Sequence, residues 1–173
     1  MIKDFEDCID SVRIPAKINK KDFLVEGAFP IISQEKDFIN GYWNNESDVI
    51  RIQKPVVVFG DHTKKFKYID FDFVQGADGV KVLLPKDFLL QKYFYYQLLS
   101  LPLESLGYAR HYKMLKEQKI YVPNKETQLI IIEQLDRIFE RIKTAKENIE
   151  KQELLINEFE TSIMINSFKP ETV

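Results

Sequence analysis

Between Pro123 and Pro170 the chain has neither Gly nor Pro. One set of positions there recurs in unbroken steps of four and three: Ile131, Leu135, Ile138, Ile142, Ala145, Ile149, Gln152, Ile156, Phe159 and Ile163. A spacing of 3.5 residues keeps one helical stripe turned toward a partner helix, so it predicts a coiled-coil seam on a helix from about Asn124 to Asn166. Arg137, Glu140, Arg141, Lys143, Lys146, Glu147, Glu150, Lys151, Glu153 and Glu158 occupy the other faces, as a solvated exterior requires. Roughly forty residues at 1.5 Å each make a rod on the order of 60 Å long. One small domain cannot cover it, so a second helix of similar length is expected to pair along Leu135, Ile138, Ile142, Ala145, Ile149, Gln152, Ile156, Phe159 and Ile163. A helix lying on its own domain is the alternative. Within the seam, Ala145 allows close approach, and the polar Gln152 trades stability for register and orientation. Asn124 follows Pro123 as a helix-starting residue, and Glu126 favours the first turn.

The 173 residues, 45% of them hydrophobic, suffice for one cored domain plus this extension. We divide the chain into a domain at 1–123 and a helix at 124–168. The single cysteine, Cys8, has no partner for an internal disulfide, and the start, Met1-Ile2-Lys3-Asp4, lacks the basic and apolar runs of a secretory leader. No stretch approaches the roughly eighteen apolar residues of a membrane span. A cytoplasmic protein without membrane contact is expected.

Net charge is −2, which alone argues against a nucleic-acid binder. The distribution is uneven, however. From Glu126 onward there are 6 basic and 10 acidic residues, leaving 19 basic and 17 acidic in residues 1–125. A near-neutral domain can bind DNA where its cations converge on one face.

Along the domain, residues 1–27 show no clean periodicity. Phe29 to Ser33 reads as a short strand entering a loop from Gln34 to Asn45, with a turn at Asn40-Gly41. Val49–Ile52 and Val56–Phe59 read as strands, the second apolar on both faces and therefore central. Gly60-Asp61-His62-Thr63 is a turn. After it Ile69, Phe71 and Phe73 alternate with Tyr68, Asp70 and Asp72, predicting a strand, and Val80 to Leu84 predicts another. Phe88, Leu89, Tyr93, Tyr96 and Leu99 then mark a helix, Glu104 to Lys116 a second, and Lys119 to Val122 a last strand. Strands bunched before helices indicate an α+β class: a mixed α/β domain followed by the long C-terminal helix.

Catalytic patterns are poor. Two histidines and one cysteine make no zinc spacing, and no Gly-rich phosphate loop is present. Asp61-His62 reads as a turn whose side chains bond the backbone. Asp70 and Asp72 read as a solvent-facing edge, with a small magnesium nuclease as a disfavoured alternative. No metal, cofactor or catalytic residue is assigned. Nucleic-acid signals are stronger. Lys64, Lys65 and Lys67 follow a turn, where cations can meet phosphates. Arg110, His111 and Lys113 are interleaved with Tyr108 and Tyr112, and Tyr42, Trp43, Asn44 and Asn45 sit on the expected turn. Asn reads adenine edges bidentately and Arg reads guanine. The candidate DNA-contacting set is Lys36, Tyr42, Trp43, Asn44, Asn45, His62, Thr63, Lys64, Lys65, Arg110, His111 and Lys113. A coiled-coil protein-interaction scaffold without DNA specificity is the competing reading.

Several segments in order resemble the target-recognition domain of type I restriction–modification specificity subunits: Val56-Val57-Val58-Phe59-Gly60-Asp61-His62-Thr63, Lys67 to Phe73, Gly76-Ala77-Asp78-Gly79-Val80-Lys81, Gly107 to Lys116, and Ile120-Tyr121-Val122-Pro123. Pro123 to Gln128 resembles the Pro-x-x-x-x-Gln opening of that family's spacer helix, and the likeness covers about residues 28–165. It implies a non-catalytic subunit that binds double-stranded DNA and tells a methyltransferase subunit and a restriction subunit where to act. Full-length members carry two recognition domains and two antiparallel helices. This chain has one of each, so the expectation is a half-length form that pairs as a homodimer through antiparallel C-terminal helices and reads two inverted half-sites; a fragment of a longer subunit, or pairing with a different chain, is the alternative.

Overall fold

The structure is a computed structural model, and it describes residues 1–77, 79–103 and 111–168. Among these the order is β1 (Ile2–Asp4), β2 (Ile9–Asp10), β3 (Lys17–Ile18), β4 (Phe29–Ile32), β5 (Gly41–Trp43), β6 (Val56–Gly60), β7 (Phe66–Ile69), β8 (Val74–Gly76), β9 (Val80–Pro85), α1 (Gln91–Leu99), α2 (Tyr112–Lys116), β10 (Lys119–Tyr121) and α3 (Lys125–Ser167). The chain divides into two compact units, Met1–Ile132 and Glu133–Val173.

In the first unit the organising strand is β6, every residue of which is buried. It lies between β7 and β9 in an antiparallel sheet of order β2-β9-β6-β7. Alternation of side chains sends Val57 and Phe59 into a core with Phe5, Leu83, Phe94, Leu98, Leu115 and Ile120. Val56 and Val58 enter a second core with Ile32, Ile50, Ile69 and Phe73. This is why its sequence is apolar on both faces. A second sheet, β3-β8-β4-β5, mixes parallel pairing at β8 with an antiparallel β4–β5 edge.

The patternless N-terminus proves structured. β1 pairs with β10, and Met1 and Val122 exchange backbone hydrogen bonds, the Val122 N–H donating to the Met1 carbonyl and the Met1 amine to the Val122 carbonyl. Strands of two or three residues are too short to show a period, which is why the sequence hides them. Val49–Ile52, expected as a strand, is not one. Ile50 makes an isolated bridge to Phe73, while the Ile52 N–H donates to the Asp72 carboxylate at 2.9 Å instead of to a ladder. That carboxylate also takes Arg51 at 2.8 Å, so the chain leaves the sheet at Ile69 and the expected strand through Phe73 is cut short. Tyr42 and Trp43, expected in a loop, lie on β5 opposite Pro30 and Phe29. The helix expected from Glu104 is described only from Tyr112, since residues 104–110 lie outside the described set.

The root of α3 is fixed inside the first unit. Asn124 caps the helix, its Oδ1 accepting the Thr127 N–H at 2.8 Å. Gln128 is fully buried and makes three hydrogen bonds: Oε1 accepts from Leu90 N–H at 2.8 Å, while Nε2 donates to the carbonyls of Phe88 at 2.9 Å and Pro123 at 3.0 Å. Ile131 and Ile132 pack on the first core beside it. The Gln of the Pro-x-x-x-x-Gln pattern therefore bonds three partly buried backbone groups from its own fully buried position. Gln128→Ala is expected to lower unfolding free energy by about 1–3 kcal/mol, measured by urea unfolding, with the same secondary structure by circular dichroism.

Candidate nucleic-acid interface

The β6–β7 hairpin supplies most of the site. Its turn is closed by the Lys64 N–H on the Gly60 carbonyl (2.8 Å) and the Gly60 N–H on the Lys65 carbonyl (2.9 Å), with Lys64 in the left-handed region at φ 56°. A Cβ at Gly60 would stand 2.3 Å from Thr63 Oγ1, so the turn requires glycine there. The loop after β4 braces the turn. Gln34 Oε1 accepts from the His62 N–H at 3.2 Å, and the Gln34 carbonyl accepts from Thr63 Oγ1 at 2.8 Å. Thr63 and the His62 backbone thus hold two loops together.

Lys36 from the braced loop and Lys64 and Lys65 from the turn line one open concavity of about 470 Å³. Phe38, Phe66, Tyr68 and Tyr95 line it too, along with Lys67 and Leu99. Cations for phosphates beside aromatic faces for bases are the chemistry of a nucleic-acid surface. Phe38 is 47% exposed and lies edge-on to Phe71, 6.1 Å between centroids. Phe38, Tyr68 and Tyr95 were not singled out by sequence. They come from a loop, a strand and a helix, and only the fold assembles them.

Lys67 differs from its neighbours in the basic run. It is 6% exposed, and its Nζ donates to the carbonyls of Asp37 (2.5 Å) and Phe38 (3.3 Å) and to Asn40 Oδ1 (3.2 Å). Burial pushes its ammonium down to about 8, against the opposing pull of Asp37.

Among the described residues, the other candidates do not line this concavity. Tyr42 and Trp43 are half-buried on β5, and the Trp43 indole N–H donates to Asp48 at 2.8 Å. Asn44 Oδ1 accepts the Ala28 N–H at 2.9 Å, and Asn45 Oδ1 accepts from Ser47, capping a short 3-10 turn. His111 is fully buried, its Nδ1 2.9 Å from the Asp61 carbonyl, and Asp61 Oδ1 accepts the Tyr112 N–H at 2.7 Å. This pair ties the hairpin to α2, leaving His111 no exposed surface for a base. Lys113 is exposed on α2, and Arg110 lies outside the described residues. Asp72 is held below the usual carboxylate range by the Arg51 guanidinium. Among the described residues no three His, Cys, Asp or Glu side chains converge as metal ligands would, and no helix is long and apolar enough to cross a membrane.

The first unit is thus a β-sheet domain with cations and aromatics on braced loops, and the chain continues into a long helix whose apolar stripe is exposed. The family model described as the type I restriction modification DNA specificity domain matches residues 6–154, and the chain belongs to that family. It is 30% identical over 152 residues to the type I restriction enzyme EcoR124I/EcoR124II specificity subunit of Escherichia coli, covering 79% of this chain and 37% of that protein. Its fold matches a chain from a study of complex assembly and conformational transition in a type I R-M system (TM-score 0.76, 17% identity, 99% of this chain and 46% of that one). It also matches the crystal structures of the S subunit from M. genitalium (0.63, 19%, 92% and 44%) and the HsdS subunit from Thermoanaerobacter tengcongensis (0.61, 16%, 99% and 45%). The chain spans less than half the length of each of these relatives.

The Lys67 environment carries a signed pH dependence. Between about 8 and the ordinary 10.5 the unfolded chain holds a proton that the folded chain has released, so this group makes stability rise with pH across that window. Lys67→Met is expected to remove a slope on the order of 1–3 kcal/mol from the wild-type profile, measured by urea unfolding from pH 7 to 10.

Proposed function

We propose that this chain is a non-catalytic DNA specificity module that reads one half of a bipartite target for a type I restriction–modification system. Its place is to direct a methyltransferase subunit and a restriction subunit to that target. Lys36, Lys64 and Lys65 supply phosphate contacts and most of the affinity, with a salt dependence set by how many phosphates they neutralise. Discrimination comes from the aromatic and polar side chains of the same concavity, with exposed Lys113 on α2 as a further candidate away from it.

Two copies pair through α3, antiparallel, and so rebuild a reader with two domains. The single observation that carries this reading is the uncovered seam on a member of the specificity family. Ile138, Ile142, Ile149, Ile156, Phe159 and Ile163 are all between 44% and 67% exposed along a continuous 43-residue helix. Such a stripe is what a second helix buries in a coiled coil. Two identical heads related by a two-fold axis meet two identical half-sites in inverted orientation. Exposed apolar groups elsewhere on α3, such as Leu154 and Ile165, leave surface for the methyltransferase once the seam is closed.

Selection from a randomised duplex pool tests this directly. The wild-type protein is expected to enrich an inverted repeat with a fixed gap. Ile142→Lys combined with Ile149→Lys is expected to sediment as a monomer and to lose the fixed gap. A dimeric variant that keeps the wild-type target would overturn the pairing.

A further inference from the structure

The loop that carries Lys36 and Phe38 has little core of its own, and residues Glu35 to Ile39 are exposed. What fixes it is a small polar cluster. Asn40 Oδ1 accepts from both the backbone N–H and the hydroxyl of Ser33, each at 2.9 Å, and Asn40 Nδ2 donates to the Asp37 carbonyl at 3.1 Å. Lys67 completes the cluster from the neighbouring strand through its three hydrogen bonds to Asp37, Phe38 and Asn40. A buried lysine is costly to desolvate, and a methionine of similar length would fill the space without that penalty. Here the cost is matched by an arrangement in which one Nζ grips two successive carbonyls at the loop's tip.

We propose that Lys67 is a positioning residue for DNA reading: held inside the domain, it sets the conformation of loop 36–40 and thereby presents Lys36 and Phe38 beside Lys64 and Lys65 as one surface. This rests on the DNA-reading function proposed above. Although Lys67 contributes to the wall of the concavity, its Nζ is turned into the cluster and its side chain is nearly without solvent contact, so its ammonium is engaged by the loop and not by phosphate. Its loss therefore lowers the preference for the right sequence and leaves the non-specific, salt-dependent attraction in place. A lysine that merely bound phosphate would do the reverse: weaken all duplexes alike and reduce the salt slope.

The test compares wild type, Lys67→Met and Asn40→Ala in the full chain. The probes are the duplex enriched from the random pool and a scrambled duplex of equal length. The ratio of the two affinities is expected to fall about tenfold in Lys67→Met, the scale of one lost base contact, while the scrambled-duplex affinity and its salt slope stay within about twofold. Hydrogen exchange of amides 35–41 is expected to quicken in the same variant. Should Lys67→Met fail to fold, Asn40→Ala carries the test, because it keeps the lysine and removes one of its acceptors. An unchanged affinity ratio, or unchanged exchange in the loop, overturns the proposal. A wild-type protein that enriches no duplex overturns DNA reading itself, and the exchange result then reports on the clamp alone.

Discussion

An apolar stripe of this length cannot rest in water without cost, and that constraint shapes the second unit. Side chains such as Ile142, Ile149 and Ile156 each retain about half their surface exposed. Moving each from that state into a packed seam is worth on the order of 1 kcal/mol, and these contributions add along the seam against the entropic cost of association. The charged faces, with Glu133–Arg137 and Lys143–Glu147 pairs spaced one turn apart, contribute little by comparison because they remain solvated. Hydrophobic burial, and not surface ion pairing, is therefore the force that would favour the pairing proposed for α3.

The first unit solves a different problem, which is to hold exposed polar loops still. β6 is buried on both faces and anchors the hairpin turn. The turn is then stitched to the loop after β4 through Gln34, and to α2 through Asp61. Each stitch uses a backbone group of one segment and a side chain or backbone group of another, so the loops are fixed without adding apolar surface. The same economy appears at the root of α3, where one amide, Gln128, satisfies three backbone groups from two other segments.

Sequence made the long helix legible to within a residue or two, because its period persists over six turns or more and its capping Asn124 stands next to a proline. β6 was legible for a related reason: a run that is apolar on both faces has few places to go. Val49–Ile52 misled because its apolar residues serve two different cores, Val49 one and Ile50 another, and the strand pattern they mimic is a crossing between them. The concavity was legible only in its lysines. Its aromatic wall is drawn from three elements far apart in the chain. Lys67 and His111, alike in the sequence to their solvent-facing neighbours, turn inward to bond carbonyls that no local pattern reveals.

The proposed two-headed reader depends on how two copies of α3 meet. The direct measurement is the distance between spin labels on two copies of the chain, placed in one sample at Lys146 and in another at Glu160, both on the exposed exterior of α3. Antiparallel pairing predicts a short distance at the first position, near the middle of the seam, and one on the order of 35 Å at the second, twelve or so residues from the centre on each helix. Short distances at both positions, or no intermolecular distance at either, would contradict it.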